Sequence, residues 1–365
     1  MKRSDEYYMQ RALKLARRGE GMVSPNPLVG AVIVKGDRII GEGYHRRFGG
    51  PHAEIEALRH ATGNVKGATL YVTLEPCCHH GKTPPCTESI IAAGIDRVVA
   101  GTADPNPLVA KKGIARLRRH GIETTVGVLT KECARLNERF FAFMRTGVPF
   151  LTLKFAQTLD GRIACANGHS RWISSAPSLK FAHRLRAVHD AVLVGVGTVI
   201  GDDPLLTVRL ARGRNPLRIV VDSSLRIPPD AGILKNQDAT KTIIAATGKA
   251  GAAKRARLEK MGIEILSINA DHEGRVHLKK LLAQLGERGI SSVLVEGGAT
   301  LITSVLRQKL ADRLVAIIAP KIVGAGINAV GDLEIEKMDD AIMLTDREIY
   351  RRGDDLVVDA RLSHL

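Results

Sequence analysis

Short apolar runs alternate with amphipathic segments along the whole 365-residue chain. Runs such as 68–74 and 291–296 are rich in Val, Ile and Leu and have the length of buried strands, whereas 5–19 and 277–288 repeat their apolar positions at helical spacing. A regular succession of strands and helices is typical of α/β domains. The pattern therefore predicts an α/β protein.

In the first part of the chain the pattern predicts helices and strands around one loop rich in Cys, Pro and Gly, at 75–86. Ser4 is a suitable N-cap for the first helix, and 35–37 suits a tight connection between the first two strands. The predicted helices are 5–19, 52–62, 87–93, 111–120 and 131–145, and the predicted strands are 29–34, 39–44, 68–74, 97–101 and 122–129.

The pattern of predicted helices and strands changes at Thr146-Gly147-Val148-Pro149, where turn-forming residues interrupt a helical segment. We therefore expect two domains, 1–147 and 148–365, which suits the usual domain size. In the second domain the predicted helices are 176–188, 250–261, 277–288 and 299–309. The predicted strands are 150–157, 190–196, 217–222, 241–246, 263–268, 291–296 and 312–319, with a closing strand pair after 340.

Composition excludes several classes of protein. Hydrophobic residues make up 44% and charged residues 25%, so a disordered or fibrous chain is excluded. No apolar run reaches the ~18–20 residues of a membrane span, and the first twenty residues lack a continuous apolar stretch, so we expect a cytoplasmic protein without a secretory signal. The net charge of +16 is spread over both halves, and aromatic residues are only 4%, so small anionic metabolites suit the charge at least as well as nucleic acid does.

One constellation has the composition of a catalytic zinc site. His52-Ala53-Glu54 begins a predicted helix, and Cys77 and Cys86 lie in the loop after a predicted strand. One imidazole and two thiolates leave a fourth position of zinc open for water, which the metal acidifies. Glu54, two residues from the histidine, can carry a proton from that water to a departing nitrogen, as in zinc deaminases. The eight residues between the cysteines are more than zinc deaminases usually have.

A structural zinc site is the alternative. It needs a fourth ligand, for which Cys78, His79 and His80 are the candidates. That interpretation leaves Glu54 without a role. Cys133 and Cys165 are expected to be core or surface thiols.

A second constellation suits a nucleotide. Residues 293–301 read as a strand, the pair Gly297-Gly298 and a helix start, where free backbone N–H groups can bind phosphate. The glycines at 195–201 give G-x-G-x-x-x-G, one residue too long for a Rossmann fingerprint. A nicotinamide cofactor would therefore bind in another fold.

Two groups of motifs then indicate a family. Leu74–Cys86 and Ser24–Gly30 closely resemble the bifunctional deaminase/reductases of riboflavin biosynthesis, whose own cysteine spacing is the long one. In the second half, the segments resembling the reductase part of that family are 154–162, 170–173, 201–209 and 296–298. The resemblance implies a cytidine-deaminase-like three-layer α/β/α domain, followed by a dihydrofolate-reductase-like α/β domain that uses NADPH.

For the first domain the resemblance implies zinc bound by His52, Cys77 and Cys86, with Glu54 as the proton shuttle. The implied substrate contacts are Asn26, His45, Lys82, Asp104 and Asn106. Asn26 and Asn106 lie between prolines, so turn formation is the alternative for both.

For the second domain we expect Lys154 and Asp202 to polarise the reacting carbon or to supply a proton. The implied substrate contacts are Ser170, Arg186, Leu206, Arg209 and Glu296. The implied NADPH contacts are Ala156, Trp172, Thr198, Asp202, Ser223, Gly298, Ala299, Thr300, Leu301, Ile302, Thr303 and Ser304. The alternatives are solvated surface charges for the arginines, core packing for Trp172 and a turn before Pro204 for Asp202.

The reactions implied by the resemblance are consecutive. The first is hydrolytic deamination of 2,5-diamino-6-ribosylamino-4(3H)-pyrimidinone 5′-phosphate, and the second is NADPH-dependent reduction of the ribosyl group to ribityl, giving 5-amino-6-ribitylamino-uracil 5′-phosphate. The expected partners are phosphorylated pyrimidines and further copies of the chain, as a dimer or tetramer, with no nucleic acid and no membrane. The rival hypotheses are an RNA-editing deaminase and a non-enzymatic zinc-stabilised binding module.

Overall fold

The computed structural model describes residues 3–79, 84–106 and 110–363. It divides into two compact units, Met1–Gly147 and Val148–Leu365, which are described separately below. None of the helices in the described ranges combines the length and the apolar character that crossing a membrane requires.

The first unit is built on one mixed sheet with helices on both faces. Its strands are β1 (Gly30–Lys35), β2 (Arg38–Tyr44), β3 (Thr69–Val72), β4 (Arg97–Ala100) and β5 (Glu123–Val126). Its helices are α1 (Asp5–Ala16), α2 (Ala53–Arg59), α3 (Cys86–Ala92), α4 (Lys112–Arg119), α5 (Thr130–Leu136) and α6 (Glu138–Thr146). The strand order is β2-β1-β3-β4-β5, with β1 antiparallel to β2 and β3, and β3, β4 and β5 parallel.

Alternation along β1 explains the three layers of this unit. Ala31 and Ile33 face one core with the apolar sides of α2, α3 and α4, whereas Val32 and Val34 face the core formed with α1 and α5. Successive side chains of a strand point to opposite faces, so a strand that is apolar at every position is buried between two helical layers. The three-layer arrangement places the start of α2 and the start of α3 on one side of the sheet, where the predicted zinc ligands lie.

The second unit is built on a nine-stranded sheet of order β11-β10-β9-β8-β12-β6-β13-β16-β15. Its strands are β6 (Phe150–Thr158), β7 (Arg162–Cys165), β8 (Ala191–Gly195), β9 (Leu217–Val221), β10 (Thr242–Ala246), β11 (Glu264–Ser267), β12 (Ser292–Glu296), β13 (Arg313–Ala319), β14 (Gly326–Asn328), β15 (Leu344–Arg352) and β16 (Asp355–Leu362). Its helices are α7 (Ala176–Val188), α8 (Val196–Asp202), α9 (Ala252–Lys260), α10 (Leu278–Glu287) and α11 (Ala299–Arg307).

In this sheet order, every strand from β11 across to β13 is parallel to its neighbours, and β16 and β15 add an antiparallel edge beyond β13. One face of the sheet packs on the leucine-rich sides of α10 and α11, and the other face on α7, α8 and α9. In the register of β6 and β12, Lys154 lies directly beside Glu296. The sheet itself therefore brings together two residues that are 142 positions apart in sequence.

Apart from differences of up to three residues in the bounds of elements, the structure differs from the sequence-based elements in three places. The helix predicted over 131–145 is two helices, because the Asn137 side chain accepts from the Leu28 backbone N at 2.7 Å and donates to its carbonyl at 2.8 Å. Residues Val196–Asp202 form a helix where only a glycine-rich segment was recognised. The short pair β7 and β14 was not predicted, since strands of three and four residues give little periodicity.

Candidate active sites

A cavity of about 240 Å³ in the first unit is lined by most of the residues predicted for the deaminase site. The start of α2 and the β3–α3 loop supply its floor. The predicted residues that line it are Asn26, His45, His52, Glu54, Cys77, Asp104 and Asn106. Cys86 lies next to this floor as the first residue of α3, and Lys82 lies outside the described residues.

The donor atoms of His52, Cys77 and Cys86 all lie within 4.8 Å of one another. His52 Nδ1 is 3.2 Å from the sulfur of Cys86 and 3.5 Å from that of Cys77. Among the described residues this cluster has three members, and neither Cys78 nor His79 belongs to it, while the third candidate for a fourth ligand, His80, lies outside the described residues. A histidine and two cysteines are ligands that zinc prefers, and three of them leave a coordination position open. The residues therefore fit a catalytic zinc ion.

The two thiols of the cluster interact directly. A hydrogen bond from the Cys86 thiol, the largest effect, acts together with one from His52 and lowers the pKa of Cys77 to about 4 against the opposing effect of burial. The same bond to Cys77, together with burial, raises the pKa of Cys86. Of the two cysteines, Cys77 therefore loses its proton more easily and forms a thiolate, the form in which cysteine binds metal.

Glu54 is buried, with 3% of its surface exposed, in the first turn of α2. Burial raises the pKa of its carboxyl group, against the opposing effect of His52. A buried carboxyl group with a raised pKa on the wall of a cavity is suited to accept a proton and to return it during catalysis.

Asn26 and His45 form one unit on the wall of this cavity. His45 Nδ1 lies 2.9 Å from the Pro51 carbonyl, which only accepts, so Nδ1 carries the proton. Its Nε2 then accepts from the Asn26 amide at 3.1 Å, and burial lowers the pKa of the ring. The backbone N–H of Asn26 also donates to the Val23 carbonyl. Asn26 therefore forms a turn and at the same time lines the cavity.

Glu75 was not selected from the sequence, although it lies next to Pro76-Cys77. It is buried, and its carboxylate accepts from the backbone N–H groups of Asp104, Lys111 and Ile114 at 3.3, 2.9 and 3.1 Å. These bonds hold the segment that carries Asp104 to the wall of the cavity. Burial raises the pKa of Asp104 to about 6, although its carboxylate accepts from the Asn106 N–H at 2.8 Å.

The second unit contains a cavity of about 580 Å³. All the residues predicted as substrate contacts or catalytic groups of this unit line it: Lys154, Ser170, Arg186, Asp202, Leu206, Arg209 and Glu296. Predicted cofactor residues on the same walls are Ala156, Trp172, Thr198, Gly298 and Ile302.

Lys154, Arg186 and Glu296 form a buried charge cluster in this cavity. The guanidinium of Arg186 donates to both carboxylate oxygens of Glu296, at 2.5 and 2.9 Å, and Lys154 Nζ is 3.7 Å from the same group. The two cations overcome the effect of burial and lower the pKa of Glu296 to about 2. Burial lowers the pKa of Lys154. The surface-charge alternative for Arg186 is therefore wrong.

Asp202 lies at the end of α8, where its carboxylate accepts from the Ser170 hydroxyl at 3.0 Å and its backbone carbonyl accepts from Arg171. The turn before Pro204 is made by Asp203, whose backbone is left-handed and whose carboxylate accepts from the Gly232 N–H at 2.6 Å. Trp172 is 66% exposed, so the core-packing alternative for it is wrong. Its carbonyl accepts from Lys321.

An adjoining cavity of about 270 Å³ shares Thr198 and Gly298 with the larger one. Gly298 has φ +77° and caps the N-terminus of α11, and a Cβ atom there would lie 3.0 Å from Thr198 Oγ1. A bare backbone at a helix N-terminus, on the wall that two neighbouring cavities share, fits the diphosphate of a dinucleotide. The other predicted cofactor residues on these walls are Ser223, Thr300, Leu301 and Ser304.

Two residues of the predicted cofactor segment do not line either cavity. Ala299 is the first residue of α11, and its carbonyl accepts from the Thr303 hydroxyl at 2.7 Å. That hydroxyl also accepts from the Gly331 N–H at 2.8 Å. These contacts give Thr303 a structural role within the helix and its neighbouring loop.

Comparison with known families agrees with this geometry. A family model described as the cytidine and deoxycytidylate deaminase zinc-binding region matches residues 2–102, and a model for the RibD C-terminal domain matches residues 149–358. The fold class predicted from the sequence is confirmed. The hypothesis of a non-enzymatic binding module is wrong.

Relatives and solved structures named RibD are similar to this chain over nearly its whole length. The riboflavin biosynthesis protein RibD of Aquifex aeolicus is 46% identical over 97% of this chain and 97% of its own length. That of Escherichia coli is 44% identical over 96% of this chain and 98% of its own length. The RibD structure of Acinetobacter baumannii, form 1, superposes with a TM-score of 0.89 at 37% identity, with 99% of each chain covered.

A Thermotoga maritima structure, titled a diaminohydroxyphosphoribosylaminopyrimidine deaminase/5-amino-6-(5-phosphoribosylamino)uracil reductase, superposes with a TM-score of 0.83 at 38% identity, over 98% of this chain and 99% of its own. The present chain therefore belongs to the RibD family, the bifunctional riboflavin-biosynthesis enzymes that combine a zinc-dependent deaminase with an NADPH-dependent reductase.

Proposed function

We propose that residues 1–147 carry the deaminase activity and residues 148–365 the reductase activity. The substrate of the first reaction is 2,5-diamino-6-ribosylamino-4(3H)-pyrimidinone 5′-phosphate, and the final product is 5-amino-6-ribitylamino-uracil 5′-phosphate. The observation that carries the proposal is the buried carboxyl of Glu54 in a cavity whose floor holds the cluster of His52, Cys77 and Cys86.

In the deaminase cavity, His52, Cys77 and Cys86 would hold a zinc ion, which when bound would act as a Lewis acid and lower the pKa of water. Glu54 accepts a proton from the attacking water and passes it to the amino nitrogen of the pyrimidine. A carbon–oxygen bond forms, the carbon–nitrogen bond breaks, and ammonia leaves. Asn26, His45, Asp104 and Asn106 orient the ring from the walls, and Lys82 contributes a positive charge for the phosphate.

Asn26 and His45 also contribute to selectivity. The proton on His45 Nδ1 is fixed by the Pro51 carbonyl, and Nε2 is satisfied by Asn26. The ring therefore stays neutral and holds the Asn26 amide in one orientation. An amide held in this way offers an oxygen acceptor to the polar edge of the pyrimidine.

In the second cavity, Thr198 and the bare backbone at Gly298 would hold NADPH, which when bound would supply the hydride that reduces C1′ of the opened, imine-like ribosyl group. Lys154 and Asp202 are our candidates for polarising that carbon or supplying the proton that accompanies the hydride. Glu296 holds Lys154 and Arg186 in place, and Ser170 orients the Asp202 carboxylate. Arg186 and Arg209 provide donors for a phosphorylated substrate, and Ser170 and Leu206 contact the same substrate from the cavity wall.

The same proposal includes the cellular setting. Cys77 and Cys86 bind metal only when reduced, which suits the cytoplasm. A dimer or tetramer is our expectation for the assembly, and light scattering of the purified protein at several concentrations tests it.

The test uses zinc-loaded, full-length protein and the diaminopyrimidine ribotide, with ammonia release and NADPH absorbance followed together. Ammonia release with and without NADPH, and NADPH consumption only after deamination, is the expected result. Ammonia release without NADPH loss contradicts the reductase assignment. The absence of both signals from folded, metallated protein would contradict both assignments and favour an RNA substrate. Salt-sensitive RNA binding would then be the next measurement.

A further inference from the structure

A histidine to which no role has been given lies on the wall of the larger cavity in the second unit. His183 is on α7, three residues before Arg186, and only 6% of its surface is exposed. Residues three apart on a helix share a face. The ring is thus held in the same wall as the charge cluster of Lys154, Arg186 and Glu296.

The backbone around His183 fixes the position of the proton on its ring. His183 Nδ1 lies 2.9 Å from the backbone N of Arg209 and 3.4 Å from that of Leu210. Backbone N–H groups only donate, so Nδ1 is an acceptor and a neutral ring carries its proton on Nε2. Across the described residues the structure gives Nε2 no hydrogen-bond partner, while the side chain borders the cavity.

Burial and the surrounding charges together keep this ring neutral. Burial is the largest effect, and the positive charges of Arg186, Arg209 and Lys154 add to it, so that the pKa of His183 falls to about 4 in spite of Glu296. These groups come from α7 itself, the loop after α8, β6 and β12. The ring is therefore a fixed hydrogen-bond donor at neutral pH.

Arg209, the residue held by His183, differs from its neighbour Arg186. The charge of Arg186 is matched by Glu296 through two hydrogen bonds. Arg209 donates to the Thr207 hydroxyl at 2.6 Å, and no carboxylate pairs with it in the part of the chain that the structure describes. A cation without a carboxylate partner, next to a neutral donor at the rim of a cavity, is an arrangement that an anion completes.

We propose that His183 positions the Arg209 segment through Nδ1 and donates through Nε2–H to the phosphate of the reductase substrate. The proposal rests on the proposed reductase function of this cavity. A role that is only structural would use Nδ1 and leave Nε2–H without a ligand. The two nitrogens can be separated experimentally, because an Asn amide oxygen reproduces an acceptor near the Nδ1 position but lacks the donor at the Nε2 position.

The experiment compares His183→Asn and His183→Ala in the full-length, zinc-loaded enzyme with Lys180→Ala, an exposed change one turn earlier on α7. The reductase step is assayed alone, with the deaminated ribotide and with the same compound lacking phosphate. Binding of inorganic phosphate is measured by calorimetry.

For His183→Asn we expect KM for the ribotide to rise about tenfold, the effect of losing one hydrogen bond to a charged group. KM for NADPH and kcat stay within about threefold, and the phosphate-free compound is used as well as by the wild type. For His183→Ala we expect a larger rise, because Arg209 also loses its support. The Lys180→Ala variant keeps wild-type values.

An unchanged ribotide KM in His183→Asn overturns the donor role. An equal rise with the phosphate-free compound overturns the assignment to phosphate. Long-range nitrogen NMR of the wild type at pH 7 must show the Nε2–H tautomer of His183, and the other tautomer or a charged ring contradicts the proposal. If the wild type consumes no NADPH, the proposed reductase function fails. The inference about His183 is still tested in that case by the binding of inorganic phosphate. Weaker phosphate binding by His183→Asn than by the wild type supports the inference, and unchanged binding overturns it.

Discussion

Replacing Glu54 by Gln tests the central chemical claim about the deaminase cavity. Gln has nearly the same volume as Glu but cannot accept and return a proton. The change leaves the three metal-binding side chains in place, because His52, Cys77 and Cys86 belong to the start of α2, the β3–α3 loop and the start of α3. The variant therefore separates proton transfer from metal binding.

The magnitude follows from the burial of this carboxyl. General acid–base catalysis by a positioned side chain contributes roughly 10²–10⁴-fold. Glu54 is 3% exposed, so bulk water has little access to replace it, and we expect a loss towards the upper end of that range. The amide keeps the space filled and removes the cost of burying a charge, so the melting temperature should not fall.

The assay is ammonia release from the diaminopyrimidine ribotide, together with zinc content by elemental analysis. Glu56→Gln is the matched control, since Glu56 is also buried in α2 but pairs with Arg46 at 2.9 Å and Arg59 at 3.6 Å and does not line the cavity. We expect it to lose about 1 kcal/mol of stability and to keep its activity. Ammonia release by zinc-loaded Glu54→Gln within about tenfold of the wild type would refute the proton-shuttle reasoning. Loss of zinc in that variant alone would contradict the separation of proton transfer from metal binding.

Further predictions concern the other cavity walls. Asp202→Asn is expected to slow NADPH oxidation by at least about tenfold and to leave ammonia release unchanged; a matching fall in both rates with the fold intact contradicts two separate sites. Gly298→Ala, which places a methyl 3.0 Å from Thr198 Oγ1 at a left-handed φ, should raise KM for NADPH about tenfold or more, and wild-type NADPH kinetics would count against cofactor binding there. Because burial raises the pKa of Asp104 to about 6, its charge is lost as pH falls through that value, so the deaminase KM should rise below pH 6 in the wild type but not in Asp104→Asn. Glu75→Gln should destabilise the first unit by about 1–3 kcal/mol and raise the deaminase KM, measured by chemical denaturation and ammonia release; full stability would contradict its role in holding the Asp104 segment.

The sign of the Asp104 effect on stability is opposite to that of an ordinary salt-bridged acid. Its folded pKa of about 6 lies above the ordinary value of 3.8, so the folded state binds the proton more tightly than the unfolded state does. The contribution of this group to stability is therefore most favourable below the unfolded pKa and is lost as pH rises through about 6. The Asn variant should be less sensitive to pH across that window.

Strand and helix positions followed from the sequence wherever the apolar pattern was long. The buried strand of 291–296 and the amphipathic helix of 277–288 are present as β12 and α10 with nearly the predicted bounds. Features that are short, or that depend on tertiary contacts, were not predicted from the sequence. An example is the helix break at Asn137, which depends on hydrogen bonds to Leu28 in a distant part of the chain. Local periodicity contains no information about such partners.

For the sites, the sequence alone determined which side chains have the right chemistry. The spacing of His52, Glu54, Cys77 and Cys86 indicated zinc chemistry, since ligand type and proximity in sequence carry that signal. Only the tertiary structure decided which charges meet. Glu296 becomes the neighbour of Lys154 because β12 and β6 pair in parallel register, and Arg186 reaches Glu296 from a helix packed on that sheet. The roles of Glu75 and His183 were invisible in the sequence for the same reason, because each acts through backbone N–H groups that only folding brings within reach.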